Sequence, residues 1–244
     1  VENRLSEYRS IMDFLNPGYL GSEKKFDEEF AKPIQLNHDQ KKAALFRKIT
    51  SPFILRRLKT DKSIISDLPD KIENNHYCTL TSEQAAVYQN IVDNVLKEIS
   101  ELDGIRRRGM VLKMITALKQ ICNHPDNFLK KGNALPDKSG KSLILMDILG
   151  QIREAGEKTL IFTQYRKMGE ILAEMIRNTY GIEPLFLHGG SSRAQRDSMV
   201  EDFQTKRNKW IFILSLKAGG TGLNLTGAGH VVHYDLWWNP AVEA

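Results

Sequence analysis

Cysteine is scarce. Cys78 and Cys122 are the only two among 244 residues, too few for a disulfide framework and in keeping with a reducing, intracellular compartment. Apolar runs long enough to cross a bilayer are missing, and the amino terminus has no signal-peptide pattern. Internal repeats and low-complexity tracts are also absent. Cys122 and His124 stand close together, but a structural zinc takes four ligands, commonly in paired spacings, and no second pair is present. A buried cysteine and a helix-end histidine are the expectation there. Ser139-Gly140-Lys141-Ser142 has the form of a P-loop tail. Yet the position five before Gly140 is Leu135 rather than glycine, and a polar loop, not a strand, leads in. That stretch reads as the start of a helix.

Charged residues make up 27% and hydrophobic ones 41%, the balance of a globular protein. A net charge of +5 is a mild excess that only hints at a polyanionic partner, and the Arg106–Arg108 run reads first as a solvated face. The chain is long enough for one good core with a smaller appended unit. It starts at Val1 and stops at Val242-Glu243-Ala244, in the manner of a piece of something larger.

Along the chain, Leu5, Tyr8, Ile11, Met12 and Leu15 fall at helical spacing, and Asn16-Pro17-Gly18 stops that helix. Short amphipathic helices are expected from Phe26 to Ile34 and from Asp39 to Ile49, the second capped by Asn37 or Asp39. Lys59 to Lys71 reads as a linker. Lys71 to Leu80 alternates loosely, as a strand would. A long helix follows, N-capped by Ser82, and another opens at Arg106-Arg107-Arg108. Gly132 to Lys138 reads as a loop. From Ser139 on, a helix (Leu143 to Ile152), strands at 159–163, 184–187, 210–214 and 230–234, and the helices between them alternate regularly. Scattered histidines, His188, His230 and His233, fall at strand ends. The fold class expected is α/β: a doubly wound, mostly parallel sheet, with an N-terminal helical segment and a helical insertion.

The most informative stretch is Ser215-Leu216-Lys217-Ala218-Gly219-Gly220-Thr221-Gly222-Leu223-Asn224-Leu225, entered from the apolar run Trp210-Ile211-Phe212-Ile213-Leu214. Three glycines in four residues allow a sharp turn and close backbone approach to a ligand. Successive N–H groups in such a turn cradle phosphate oxygens, and Lys217 adds a positive charge. Spacing alone leaves open a loop that needs glycine only to turn.

Taken together the motifs resemble the second, RecA-like motor lobe of a Swi/Snf-type, DNA-translocating ATPase of helicase superfamily two, over essentially the whole chain. Val1-Glu2-Asn3-Arg4 and Phe14-Leu15-Asn16-Pro17 resemble the segment just after the first lobe's last motif, Pro52-Phe53-Ile54-Leu55-Arg56-Arg57 resembles the linker between lobes, and Leu118-Lys119-Gln120-Ile121-Cys122-Asn123-His124-Pro125 is characteristic of the family. Thr159 to Tyr165, His188-Gly189-Gly190-Ser191-Ser192 with Arg193 and Arg196, the glycine stretch, and Tyr234-Asp235-Leu236-Trp237-Trp238-Asn239-Pro240 follow in the family's motif order. The resemblance divides the chain into residues 1–70, a helical segment and linker from the first lobe, and 71–244, the second lobe. Within the latter a helical insertion spans about 82–135 and the sheet core about 139–244.

By this resemblance, Thr163, Gln164, Gly189, Gly190, Arg193, Arg196, Ser215, Lys217, Trp238 and Asn239 would contact DNA, and Gly220, Gly222 and Asn224 would face ATP. Of Trp237 and Trp238, one is expected in the core. The implied function is ATP-driven translocation on double-stranded DNA, in settings such as chromatin remodelling or DNA repair. A strand-separating RNA or DNA helicase lobe and a non-catalytic docking module are the alternatives. ATP and Mg2+ would be held mainly by the first motor lobe of the same polypeptide, and DNA-bound proteins are possible further partners. The implied location is DNA-associated, in a nucleus or a prokaryotic cytoplasm. The resemblance puts the P-loop before Val1 and motif six, with its arginine fingers, after Ala244, so this chain alone is expected to be inactive.

Overall fold

The computed structural model describes residues 4–55, 71–99, 103–130, 133–215 and 223–237. Backbone contacts divide the chain into two compact units, Val1–Asn74 and Asn75–Ala244.

In the first unit, α1 (Leu5–Leu15) ends before Gly18, whose positive φ of 76° reverses the chain. Residues 23–35 are helical throughout, as α2 (Glu23–Phe26), a π turn (Asp27–Ala31) and α3 (Lys32–Gln35). Helix α4 (Gln40–Thr50) starts where the Asp39 carboxylate accepts the Lys42 N–H at 3.0 Å, so Asp39 and not Asn37 is the cap. Phe26, Phe30 and Phe46 are buried together, with centroids 5.6–5.9 Å apart, and Met12 packs into the same core. Arg56 and Arg57 of the 52–57 stretch, and the linker from Lys59 to residue 70, lie outside the described residues.

Residues 71–80, which run across the division between the units, depart from expectation. That segment pairs with no strand and is exposed at nearly every position, Tyr77 at 91%. Alternation makes a strand only where a neighbouring edge takes up its N–H and C=O groups, and none does here. Helix α5 (Ser82–Ile99) begins one residue beyond its cap, which is Thr81 rather than Ser82. The Thr81 hydroxyl accepts the Gln84 N–H at 3.2 Å and the Gln84 side chain accepts the Thr81 N–H at 3.1 Å, a reciprocal capping box. Antiparallel to it packs α6 (Gly104–Asn123), whose Arg106, Arg107 and Arg108 are exposed as a solvated face should be. A short α7 (Pro125–Leu129) and a 3₁₀ turn (Pro136–Lys138) lead to α8 (Gly140–Glu154).

Four parallel strands then alternate with helices: β1 (Thr159–Thr163), α9 (Arg166–Tyr180), β2 (Leu185–Leu187), α10 (Arg193–Thr205), β3 (Ile211–Ser215) and β4 (His230–His233), in the spatial order β2-β3-β1-β4. Successive side chains serve opposite faces, as the period of two requires. Ile161, Ile211 and Ile213 join α8 and α9 in one core. Leu160, Phe212 and Leu214 join Leu185, Leu187 and Phe203 in the other, closed by Met199, Leu223 and Leu225. Helices therefore cover both faces, the doubly wound arrangement anticipated from the alternation of short apolar runs with amphipathic segments.

Candidate nucleic-acid interface at the carboxyl edge of the sheet

Strand register brings the motif loops side by side. Thr163 pairs with Ser215, Leu187 with Leu214 and Phe162 with His233, so the chain leaves β2, β3, β1 and β4 at one edge in that order. In an open parallel sheet this carboxyl edge is where ligands sit.

After β2 the chain folds onto itself before entering α10. His188 Nδ1 accepts the Gly190 N–H at 3.0 Å, and the His188 carbonyl accepts the Ser191 N–H at 2.9 Å. Ser192 then caps α10 in a capping box with Gln195. Gly189 and Gly190 are exposed, with open space around Gly189. Arg193 is exposed and Arg196 half-exposed on the first turn of α10, which carries no acidic residue. Neither forms an ion pair among the described residues. Two uncompensated guanidiniums thus sit beside the positive end of a helix dipole.

After β1, Thr163 is fully buried and its hydroxyl donates to Asp235 Oδ2 at 2.6 Å, while Asp235 Oδ1 accepts the Gln164 N–H at 2.7 Å. The Gln164 side-chain amide donates to the Leu236 carbonyl. Thr163 therefore shapes the turn from within, and Gln164 is the half-exposed member of the pair. Ser215, 7% exposed, sits next to Thr163 at the end of β3.

Asn224 is not at this edge. Helix α10 carries the chain about 20 Å back across the sheet, and near its end Gln204 donates to the Asn224 carbonyl at 2.8 Å and accepts the Gly227 N–H at 2.9 Å. The same end of α10 meets Lys158, just before β1, through the Lys206 carbonyl at 3.0 Å. Gln204, which sequence inspection overlooked, is the clamp on 224–227, and only the fold reveals it. Lys217, Gly220, Gly222, Trp238 and Asn239 lie outside the described residues. Trp237 is half-buried.

Behind the edge lies a buried polar knot. Asn123, at the end of α6, donates to Asp235 at 2.8 Å and accepts from Lys141 Nζ at 2.9 Å. The Asn123 carbonyl accepts from Ser139 Oγ at 2.6 Å and from the Tyr234 hydroxyl at 2.8 Å. Burial pushes the Asp235 carboxyl up, opposed by the hydrogen bonds from Thr163, Gln164 and Asn123 and by the Lys141 charge. Burial pushes the Lys141 ammonium down, with the Asp235 charge opposing. Every partner of Asp235 is a donor, which is the environment of a carboxylate. Burial also drives the Tyr234 phenol up, so it remains a neutral donor.

The Cys122–His124 stretch is structural here. Cys122 is only half-buried, less than expected, because it sits at the margin of the knot. His124 has no exposed surface: Nδ1 accepts the Asp126 N–H at 3.1 Å, capping α7, and Nε2 faces the Leu135 carbonyl at 3.0 Å. Burial holds the ring below the ordinary imidazole value, against the pull of the Leu135 carbonyl, Asp126 and Glu83, while Lys138 acts in the same sense as burial. The unfolded chain takes up that proton near pH ~6.5 and the folded chain resists it, so stability should fall as pH drops below about 6.5. Urea midpoints at about pH 7.5 and about pH 5.5 measure the loss. His124→Asn retains a cap acceptor and should shrink it; an equal loss in the variant would assign the effect elsewhere. Among the described residues no three His, Cys, Asp or Glu side chains converge on one point. No described helix is long and apolar enough to cross a membrane.

The sheet order and the helices on both faces define a RecA-like fold. Comparison with known proteins narrows this further. The SNF2-related domain model matches residues 1–127 and the helicase conserved C-terminal domain model matches 140–244; the chain belongs to the SNF2-related, Swi/Snf-type family of helicase superfamily two. It is 43% identical over 245 residues to YwqA of Bacillus subtilis, named as an ATP-dependent helicase/translocase, covering all of this chain and 26% of that protein. It is 34% identical over 272 residues to the human DNA excision repair protein ERCC-6, covering 18% of it. The chain thus spans about a quarter or less of these relatives. The SWI2/SNF2 ATPase core of Sulfolobus solfataricus, solved in complex with dsDNA, superposes with a TM-score of 0.66 at 44% identity, over 98% of this chain and 50% of that one.

Proposed function

We propose that the full-length protein is an ATP-driven translocase on double-stranded DNA, and that this chain is its second motor lobe. The observation that carries the reading is the convergence of the Gly189–Gly190 turn, the unpaired Arg193 and Arg196, Gln164 and Ser215 on one sheet edge. Exposed guanidiniums there grip phosphates, and phosphate contacts position a protein without reading sequence. Lys217 belongs to the same grip, with Trp238 and Asn239 near the groove. Gly220 and Gly222 form one wall of an ATP cleft whose other wall, with Mg2+, is the first lobe. ATP binding closes the cleft and hydrolysis reopens it, so the grip advances along the backbone.

The test is duplex-stimulated ATPase of the full-length protein across a salt series. The slope of log affinity against log salt falls by about 0.9 for each phosphate no longer neutralised, so Arg193→Ala with Arg196→Ala should lower it by about two and weaken binding of every sequence alike. An unchanged slope overturns the grip. Activity that depends on a 2′-OH would instead mark an RNA helicase. Binding without any hydrolysis would mark a docking module.

A further inference from the structure

The last turn of α6 holds the carboxyl edge with two side chains four residues apart. Asn123 donates to Asp235, and Lys119 donates to the Leu236 carbonyl at 2.8 Å. Side chains at this spacing share one helix face. Through Asp235 the contact continues to the Thr163 hydroxyl and the Gln164 N–H. Asn123 is 1% exposed and its amide is used at both ends, with Lys141 on Oδ1 fixing which end is the donor. Gln84 of α5 adds a second tie, donating to the Ile121 carbonyl at 2.8 Å and accepting the Gly140 N–H at 3.3 Å.

We infer that Asn123 is a positioning residue for the DNA grip. It locks the α5–α6 hairpin to the Thr163–Gln164 turn through Asp235, so that hairpin and turn move as one body. Asn123 lies behind the edge and touches no nucleic acid itself. Its effect runs through the orientation of Asp235, because a buried carboxylate with one donor removed turns toward whatever donor is left. The turn on β1 then loses its fixed presentation. This rests on the reading of the carboxyl edge as a DNA grip.

The experiment measures, in the full-length protein, the duplex concentration giving half-maximal ATPase stimulation and the rate at saturating duplex. Asn123→Ala should raise the half-saturation concentration by about tenfold, the worth of one buried hydrogen bond to a charged group, with a smaller change in the saturated rate. A purely structural defect does the reverse: fewer active molecules lower the saturated rate and leave half-saturation unmoved. The reciprocal pair Asn123→Asp with Asp235→Asn exchanges donor and acceptor across the same contact, leaves an oxygen for Lys141, and is met by the Thr163 hydroxyl turning from donor to acceptor on the same atom. It should restore half-saturation where either single change raises it, a coupling read from the cycle. If neither single variant folds, the reciprocal pair decides alone: half-saturation near that of the unaltered protein supports the inference, and a raised value overturns it. Unshifted half-saturation in Asn123→Ala, or singles that the pair does not rescue, also overturns it. The Arg193→Ala, Arg196→Ala variant is run alongside. If that variant keeps its duplex affinity the grip reading itself has failed, whereas if it loses affinity and Asn123→Ala does not, only the positioning role falls.

Discussion

Gly140→Ala is expected to destabilise the second unit by about 3 kcal/mol, the upper part of the range for overpacking. A Cβ on Gly140 would lie 2.1 Å from the Thr79 carbonyl oxygen and 3.4 Å from Cys78 Cβ. The first of these is backbone and cannot rotate away. Relief requires moving the 78–81 segment, which breaks the Thr81–Gln84 capping box and the bond from the Thr81 hydroxyl to the Lys138 carbonyl at 3.0 Å. Elsewhere in the same helix, alanine for glycine should gain up to about 1 kcal/mol in propensity. Gly150 is the control, since its added Cβ meets nothing nearer than the Tyr180 hydroxyl at 3.9 Å. Urea unfolding should show a large drop for Gly140→Ala and no loss for Gly150→Ala. Equal behaviour of the two would refute the close approach.

The 244-residue chain by itself is expected to hydrolyse ATP at no more than background, with or without duplex DNA. The one stretch with the form of a phosphate loop is fully committed to the fold. Ser139 caps α8 by accepting the Ser142 N–H, Lys141 donates to Asn123 and to the Tyr234 carbonyl, and Ser142 pairs with the Tyr234 hydroxyl at 2.9 Å. Neither a lysine for the phosphates nor a hydroxyl for a metal is left over. Turnover by the purified chain is the measurement, and hydrolysis that rises with duplex and survives further purification would overturn the two-lobe reading.

The buried knot shows where inspection of the sequence fell short. Leu118 to Pro125 stood out as a family signature, but nothing in its spacing said why asparagine stands at 123. The reason is Asp235, 112 residues away, whose carboxylate needs a donor at that point. Similarly, the family resemblance places the Thr163–Gln164 turn on DNA, yet the Thr163 hydroxyl is spent on Asp235. A short polar side chain at a strand end is equally suited to a ligand or to a neighbouring loop, and only the neighbour's position decides.

Local rules determined much of the rest from the sequence alone. The strand at 159–163 and the helix start at Ser139 follow from side-chain period and capping chemistry, interactions that span a few residues and are written in them. The family, too, was legible, because several motifs fall in the right order along one chain. Tertiary structure decided that 71–80 is no strand, that Thr81 and not Ser82 caps α5, that Gly140 is glycine for the sake of Thr79, and that Asn224 is clamped to the end of α10 away from the motif loops. For the glycine and the clamp, the deciding partner is distant in sequence, and for 71–80 no pairing strand is met. In the cap, the choice between adjacent hydroxyls turned on which one accepts the Gln84 backbone N–H. Pairing, close approach and side-chain direction exist only once the chain has folded, and a sequence period carries no record of them.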